Sequence, residues 1–315
     1  MASMTGIPRP RVLILLGPTG VGKSKLAFEL VKEWGGEVLS ADSMQVYKYM
    51  DIGTDKPTPD ELRRIRHHLI DLVCPDQPFH AGLYRTLGRK TVEQLHQEGK
   101  FIWVVGGTGL YIKALTQGLF TSPLIDPVVR EGLKREGEER GGDRLYQRLW
   151  EVDPKTASKL HPRDLFRITR ALEIFDSTGI PISFYREQHS FGERPYLTLK
   201  IGLEMDREAL YRRIDARVDR MIERGLLQEA RGLMERGYGS QLKPMQSLGY
   251  KQMFQFLLKK MEWTEAVRQM KRDTRHYAKR QWTWVKADPE VRWRDGSIDR
   301  QKIFREVENF LKKGE

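Results

Sequence analysis

Cysteine is nearly absent from this chain, since Cys74 is the only one among 315 residues. A single cysteine excludes an internal disulfide and a zinc site built from several cysteines, and it is typical of a reducing compartment. We therefore expect a cytoplasmic protein in which Cys74 is buried or half-buried. The histidines also lack metal-ligand spacing with one another or with the cysteine, so no transition-metal site is expected.

Long apolar runs are missing as well. The longest, Val12 to Leu16 and Phe101 to Val105, have five residues each, whereas a membrane-spanning helix needs about 18 or more. No secretory signal, internal repeat or low-complexity segment is visible. The opening residues 1–6, MASMTG, resemble an expression tag and are excluded from fold reasoning. The sequence thus predicts no association with a membrane.

An acidic excess is absent too: 55 Lys and Arg stand against 43 Asp and Glu, for a formal net charge of +12. This balance favours a polyanionic partner such as a nucleic acid, although a solvated basic surface has the same composition. The share of hydrophobic residues, 39%, is enough for a globular core. The length corresponds to about two domains, or to one large domain with an insertion.

Short β-rich runs alternate with amphipathic segments in the first part of the chain, at Val12 to Leu16, Lys23 to Trp34, Glu37 to Ser40, His68 to Leu72 and Phe101 to Val105. Such alternation predicts an α/β fold with a parallel sheet flanked by helices. A strand at Tyr196 to Gly202 and a long helix at Asp206 to Arg236 indicate that the same fold resumes later.

The middle of the chain is different. From Asp126 to Thr178 no strand pattern occurs and apolar residues recur at helical spacing, with Asp153-Pro154 and His161-Pro162 near expected helix starts. We predict a helical insertion here. The expected domains are a first core part at 7–121, the insertion at 122–195, and a second core part at 196–315 with basic C-terminal helices.

A phosphate-binding motif follows the first strand. The pattern GxxxxGK[ST] is matched by Gly17, Pro18, Thr19, Gly20, Val21, Gly22, Lys23 and Ser24, between an apolar strand and a helix. Glycines let backbone N–H groups converge on phosphate, Lys23 neutralises an oxygen, and Ser24 can ligate Mg²⁺. The motif does not reveal whether the phosphates belong to a nucleotide.

A Walker B carboxylate, the usual partner of a nucleotide P-loop, has only an imperfect candidate in Asp71. The most apolar strand ends instead in Gly106-Gly107-Thr108-Gly109, which indicates a close backbone approach with the Thr108 hydroxyl presented beside it. A tight turn without a ligand is the alternative. Asp42 follows the second strand, on the P-loop side of a doubly wound sheet, and is a candidate base. Equally, Asp42 and Gln45 match a capping box that only begins a helix.

Taken together, five segments resemble one family: GPTGVGKS, SADSMQVYKYMDIGTDKP, VGGTGLYIKAL, RALE at Arg170 to Glu173, and TRHYAKRQWTW. The chain is similar from about residue 11 to 295 to the tRNA dimethylallyltransferases, the isopentenyl-pyrophosphate transferase family. The P-loop is generic, whereas the segments around Asp42, Thr108 and Gln281 are specific to the family and occur in its order.

The resemblance implies transfer of a dimethylallyl group from dimethylallyl diphosphate to N6 of the adenosine immediately 3′ of the anticodon. The P-loop would then hold the diphosphate with Mg²⁺, Thr108 would touch the substrate, and Asp42 would accept the N6 proton. An arginine of the segment around residues 210–218 would contact the diphosphate, Arg217 by preference and Arg213 second. A solvated helix charge is the alternative for both.

Further residues match family positions that touch tRNA. They are Asp42, Ser43, Met44, Gln45, Thr108, Arg130, Phe166, Arg167, Ile168, Thr169 and Arg170. To these the basic, aromatic stretch 268–286 adds Arg275, Lys279 and Arg280, with Trp282 and Trp284 as candidates either for base stacking or for partial core packing. The insertion would grip the anticodon stem and loop, and a monomer is expected.

Three other functions remain open from the residues alone. A small-molecule P-loop kinase would use the first 120 residues but not the basic C-terminal region. A nucleic-acid-dependent ATPase would explain P-loop and charge, yet helicase motifs are missing. A prenyltransferase that acts on free adenine nucleotides shares the chemistry, but it has no use for the insertion and the basic stretch.

Overall fold

A computed structural model of the chain describes residues 8–120 and 126–312. The tag-like residues 1–6, the core start at residue 7 and the expected boundary between residues 121 and 122 lie outside this part. The elements in chain order are β1 (Arg11–Leu16), α1 (Lys23–Trp34), β2 (Glu37–Ala41), α2 (Pro59–Arg64), β3 (His67–His68), α3 (Ala81–Gln97), β4 (Ile102–Gly106), α4 (Gly109–Gln117), α5 (Pro127–Arg140), α6 (Gly142–Val152), α7 (Pro154–Ala157), α8 (Leu165–Thr178), α9 (Ile182–His189), β5 (Leu197–Glu204), α10 (Arg207–Glu223), α11 (Leu226–Glu235), a 3₁₀ turn (Lys243–Gln246), α12 (Tyr250–Leu257), α13 (Trp263–Lys286), β6 (Val291–Asp295) and α14 (Arg300–Lys312).

The six strands form one parallel sheet in the order β3-β2-β4-β1-β5-β6, which confirms the α/β prediction. Alternate residues of β1 pack into two separate cores: Val12 and Ile14 lie in one, Leu13 and Leu15 in the other. Both faces of the sheet are therefore covered, and this explains why the central strands are continuously apolar in the sequence.

Two expected elements differ in the structure. The strand expected over His68 to Leu72 is limited to His67–His68, because Leu69 and Asp71 have φ values of 61° and 52°, which an extended strand cannot contain. The helix expected over Asp206 to Arg236 is divided into α10 and α11 by Gly225, whose φ of 96° ends one helix before the next begins.

The chain divides into two compact units, Met1–Thr116 with Arg194–Glu315, and Gln117–Glu193. The second unit contains α5 to α9 around its own apolar core, which includes Leu145, Leu149 and Leu172. Asp153 accepts the backbone N–H of Thr156 at the start of α7, as the Asp-Pro pattern predicts. The next helix, α8, begins after Asp164 rather than at Pro162.

Candidate active site

Three motifs meet at one edge of the sheet. The P-loop follows β1, Asp42 follows β2 and Gly107 follows β4, and these three strands are neighbours in the order β2-β4-β1. The register places Gly106 opposite both Leu16 and Ala41, so the strand ends are level. A Cβ at Gly106 would lie 2.2 Å from the Ala41 carbonyl oxygen, which explains the glycine after the strand.

The P-loop has the backbone that its glycines permit. Gly20 and Gly22 have φ values of 82° and 104°, in the region that favours glycine. No side chain caps α1 at its start, and the N–H groups of a first helical turn attract anions. Lys23 Nζ donates to the carbonyl oxygens of Gly17 (2.9 Å) and Pro18 (2.8 Å). Burial, and secondarily the charge of Arg217, lower the pKa of Lys23 to about 8.

Asp42 organises a turn rather than a helix. Its Oδ1 accepts the backbone N–H groups of Met44 (2.8 Å) and Gln45 (3.3 Å), but no helix begins there, so the capping-box alternative is wrong. The Gln45 side chain instead accepts the Ser40 hydroxyl at 2.8 Å. Within the described part of the chain no hydrogen bond to Asp42 Oδ2 is found, and this oxygen is available to a ligand.

Thr108 and Tyr277 lie beside Asp42. The Thr108 hydroxyl oxygen accepts the Ser43 backbone N–H at 3.0 Å. The pKa of Tyr277 is raised by burial and by the negative charge of Asp42. The Tyr277 hydroxyl therefore keeps its proton at neutral pH.

Gln281 is a site residue that the sequence reasoning missed. Its Oε1 accepts the Thr19 backbone N–H at 2.8 Å, and its Nε2 donates to the Gly107 carbonyl oxygen at 3.0 Å. One amide from α13 thus ties the P-loop to the end of β4. The sequence did contain a signal for this role, namely a polar residue on the buried face of a helix. Gln281 lies on the face of α13 that also carries Met270, Thr274, Ala278 and Val285.

These motifs line a cavity of about 620 Å³. The expected site residues that line this cavity are Thr19, Lys23, Ser24, Asp42, Ser43, Met44, Gln45, Arg217 and Arg280. An adjoining cavity of about 230 Å³ is lined by Gly20, Gly22, Lys23 and Ser24, and by both Arg213 and Arg217. Thr108 lines neither cavity directly and contacts the larger one through Ser43.

The two candidate arginines of α10 have different surroundings. Arg217 lines both cavities and forms an ion pair with Asp55 at 3.3 Å. Arg213 lines only the smaller cavity, where its guanidinium would lie 3.4 Å from a Cβ at Gly22. The preference for Arg217 as the main diphosphate ligand is compatible with this placement.

The basic stretch on α13 is partly internal. Arg275 binds Asp215 at 2.6 and 2.8 Å, whereas Lys279 is exposed. The ring of Trp284 packs where a Cβ at Gly109 would be, at 1.9 Å, and the Lys286 ammonium lies 4.6 Å from the Trp282 ring centroid. Trp284 thus packs on Gly109 at the start of α4 but stays 39% exposed, and Trp282 is half-buried.

In the helical unit, two expected RNA contacts share a carboxylate. Arg130 Nε and Arg170 Nη1 donate to Glu173 at 2.8 and 2.9 Å. Although burial acts to raise the pKa of Glu173, the hydrogen bonds from the two arginines outweigh it and hold the pKa below its usual value. Both guanidinium groups are therefore fixed in one place.

The start of α8 is divided between surface and interior. Phe166 is 79% exposed, Arg167 pairs with Asp164 at 3.2 Å, and Thr169 is half-buried. Ile168 is fully buried in the core of this unit. The expectation of an RNA contact is corrected for the Ile168 side chain, because it packs against apolar neighbours and offers no surface.

Asp71, the weak Walker B candidate, is bound to the buried Lys56. Among the described residues, no group of three or more His, Cys, Asp or Glu could hold a metal ion. The Ser24 hydroxyl is the candidate metal ligand in the phosphate loop. Across residues 8–120 and 126–312, no helix is long and apolar enough to cross a membrane.

Comparison with known proteins gives one consistent result. The family model described as IPP transferase matches residues 45–288. A tRNA dimethylallyltransferase of Desulfosudis oleivorans is 50% identical over 306 residues, 97% of this chain and 98% of that protein. The full-length tRNA isopentenylpyrophosphate transferase of Bacillus halodurans has a TM-score of 0.71 at 37% identity, with 96% of each chain covered. A eukaryotic dimethylallyltransferase acting on tRNA has a TM-score of 0.82 at 30% identity, over 96% of this chain and 79% of that one.

Proposed function

The chain belongs to the IPP transferase family, that of the tRNA dimethylallyltransferases, and on this premise we propose how its larger cavity works. A dimethylallyl group passes from dimethylallyl diphosphate to N6 of the adenosine immediately 3′ of the anticodon in tRNA, and diphosphate is released. One observation carries this proposal: Lys23, Asp42 and Arg217 line the same cavity, so an anion site and a base face one space.

The diphosphate binds at the P-loop. As the allylic C–O bond breaks, negative charge collects on the leaving diphosphate, and positioned cations and N–H groups stabilise that charge more in the transition state than before it. Lys23 and Arg217 supply the cations. The pKa of Lys23 is already lowered by burial and by Arg217, and an entering dianion raises it again, so Lys23 stays protonated during the reaction.

Asp42 is the proposed base. An exocyclic aromatic amine is a weak nucleophile, so its attack on the allylic carbon requires removal of a proton. The C–N bond forms as the C–O bond breaks, and the N6 proton passes to Asp42. Since Oδ1 is held by the Met44 and Gln45 N–H groups, the carboxylate is fixed in orientation and Oδ2 receives the proton.

Thr108 and Tyr277 hold this arrangement in place. The Thr108 hydroxyl fixes the backbone at Ser43, directly after the base. Since Thr108 lines neither cavity, its own contact with the substrate stays a prediction. Tyr277 lies beside Thr108 and Asp42, and burial and the charge of Asp42 raise its pKa, so its hydroxyl stays protonated. The Ser43–Thr108 hydrogen bond is in place before the adenosine arrives.

Mg²⁺ fits the donor set at the P-loop. This ion accepts few protein ligands when substrate phosphates and water complete its octahedron, and Ser24 supplies one oxygen beside the phosphate loop. Ser24 would hold the ion, which when bound would neutralise charge on the diphosphate. Lys23 and Arg217 bind the diphosphate from the protein side.

The tRNA partner is assigned to exposed basic and aromatic groups. Phe166, Arg167 and the Arg130–Arg170 pair in the helical unit, with Lys279 and Arg280 on α13, provide phosphate contacts and a surface for stacking. A monomer in the cytoplasm, where tRNA is found, is the proposed form.

The proposal is tested with labelled dimethylallyl diphosphate and either tRNA, AMP or no acceptor. We expect label in tRNA alone, at N6 after nuclease digestion, with an equal amount of diphosphate released. Label in AMP instead would make the chain a nucleotide prenyltransferase. Transfer of phosphate from ATP without transfer of label would support the small-molecule kinase.

A further inference from the structure

The loop of residues 51–55, here the Asp55 loop, is fixed by a carboxylate from α11. Glu229 accepts the backbone N–H groups of Asp51, Ile52 and Gly53 at distances from 2.8 to 3.1 Å. Tyr250 donates its hydroxyl to the same carboxylate at 2.6 Å. Successive N–H groups converging on one carboxylate hold a loop in a single conformation.

A second contact fixes the end of the loop. Gln45 Nε2 donates to the Asp55 carbonyl oxygen at 3.2 Å, and the Asp55 backbone N–H donates to Ile52 at 3.1 Å. Asp55 has a φ of 52°, a conformation that aspartate and asparagine adopt more readily than most residues. None of these contacts uses the Asp55 carboxylate, so the backbone holds its place without it.

The Asp55 carboxylate faces Arg217 of α10 and Arg224, which directly follows that helix. Its Oδ2 lies 3.3 Å from Arg217 and its Oδ1 lies 3.6 Å from Arg224. It lines both cavities together with Lys23. All lining residues of the smaller cavity lie in the described part of the chain, and Asp55 is the only acid among them, against six basic residues: Lys23, Lys25, Arg213, Arg217, Arg220 and Arg224.

From this geometry we propose that Asp55 is an internal counter-anion of the diphosphate site. In the ligand-free protein its carboxylate neutralises Arg217 and Arg224, and an entering diphosphate displaces it from Arg217. Asp55 thereby weakens the binding of substrate diphosphate and of product diphosphate, and it speeds the release of the product. The inference rests on the proposed function, because it deepens the role of the same site.

The test is calorimetric titration of pyrophosphate with Mg²⁺ into the wild type and Asp55→Asn. Asparagine keeps the backbone conformation and the size of the side chain but cannot neutralise an arginine. We expect the Kd of Asp55→Asn to fall about three- to tenfold, the range for two partly exposed ion pairs. We expect Asp55→Asn to have a smaller effect when Arg217 is already replaced by glutamine. In that background the change in log Kd should be less than half of the change in the wild type.

Asp219→Asn is the matched control, since it removes one negative charge from α10, the helix that carries Arg217, where Asp219 pairs with Lys271 at 2.6 Å. Its Kd should equal that of the wild type. If Asp55→Asn binds pyrophosphate no better than Asp219→Asn, or binds it more weakly, Asp55 orients Arg217 instead and the inference is overturned. Failure of the wild type to bind pyrophosphate would overturn the proposed function as well, so the two failures are distinguishable.

Discussion

The phosphate site of the P-loop unit and the Arg130–Glu173 cluster of the helical unit differ in which charge is the more exposed, the acid or the base. At the phosphate loop the cation Lys23 is half-buried and desolvation lowers its pKa, while the acid facing it, Asp55, has a side chain 41% exposed. In the helical unit the acid is buried, with Glu173 only 6% exposed, while Arg130 is 61% exposed. At each of these two sites, one sign of charge is more shielded and the other is more open to solvent.

Under the proposed function, this difference suits two kinds of anion. A small diphosphate leaves water when it enters a cavity, so a desolvated cation interacts with it strongly at low local dielectric. An RNA phosphate stays at the surface, where exposed arginines contact it and release counterions. The carboxylate of Glu173 holds both guanidinium groups in place, and two arginines with one glutamate keep a net charge of +1 there.

The largest expected difference between the P-loop unit and the helical unit is the effect of replacing an aspartate in each, and Asp42 is the aspartate to replace in the P-loop unit. We expect Asp42→Asn to lower the single-turnover rate of prenyl transfer by roughly 10² to 10⁴-fold, the range for a lost general base. The amide oxygen can still accept the Met44 and Gln45 N–H groups, so the melting temperature should stay within a few degrees.

Asp126→Asn in the helical unit is the matched control. Asp126 caps α5 by accepting the Val128 N–H at 2.9 Å, and asparagine caps a helix as well as aspartate does. The control should be silent in rate and stability. If Asp42→Asn is equally silent, within about threefold of the wild type, Asp42 only organises a turn and the proton leaves by another route.

Lys23 gives the next largest effect. Lys23→Ala should cut prenyl transfer by at least 10²-fold, as expected for the loss of an electrostatic contact worth ~3 kcal/mol in the transition state. Lys32→Ala, an exposed position on the same helix, should have no effect. Turnover by Lys23→Ala near the wild-type rate would refute the assignment of the diphosphate to the P-loop.

The pH dependence of binding follows from the lowered pKa of Lys23, about 8. Above that pH the ligand-free lysine is neutral, so binding of dimethylallyl diphosphate must take up a proton, and affinity falls as pH rises. Between pH 7 and 9 the Kd should increase about tenfold. Calorimetry at pH 8 in buffers of different ionisation enthalpy should show uptake of about half a proton, which Lys23→Ala abolishes. Absence of uptake in the wild type would place the charged lysine outside the site.

Much of the α/β core was predictable because its sequence motifs determine the local backbone conformation. The P-loop pattern predicted α1 with its observed bounds, Lys23–Trp34, and apolar runs predicted the central strands. What failed depended on single φ angles: Leu69 and Asp71 end a strand, and Gly225 divides a helix. Periodicity reports which side chains are apolar, but it is insensitive to one residue that turns the backbone.

Site residues that act through long-range contacts could not be found this way. Gln281 joins the site across 262 positions of chain, and Glu229 fixes the Asp55 loop across 177 positions. Neither Gln281 nor Glu229 is part of a local sequence motif that is associated with a chemical function. At Ile168 the resemblance supplied a segment, but helical geometry turns that one member of it into the core.

Arg130→Gln gives the smallest expected effect and tests the helical unit. Loss of one phosphate contact should weaken tRNA binding about three- to fivefold and make the slope of log K against log salt less steep by about 0.7 to 0.9. The Kd of dimethylallyl diphosphate should be unchanged. Lys134→Gln, exposed on the same helix and 3.9 Å from Glu138, serves as the matched control and should alter neither affinity nor slope by as much. Arg170 still binds Glu173 in the variant, so a melting curve should show that the helical unit stays folded. An unchanged salt slope would mean that Arg130 only neutralises Glu173, and the exposed cations of this unit would then have a structural role.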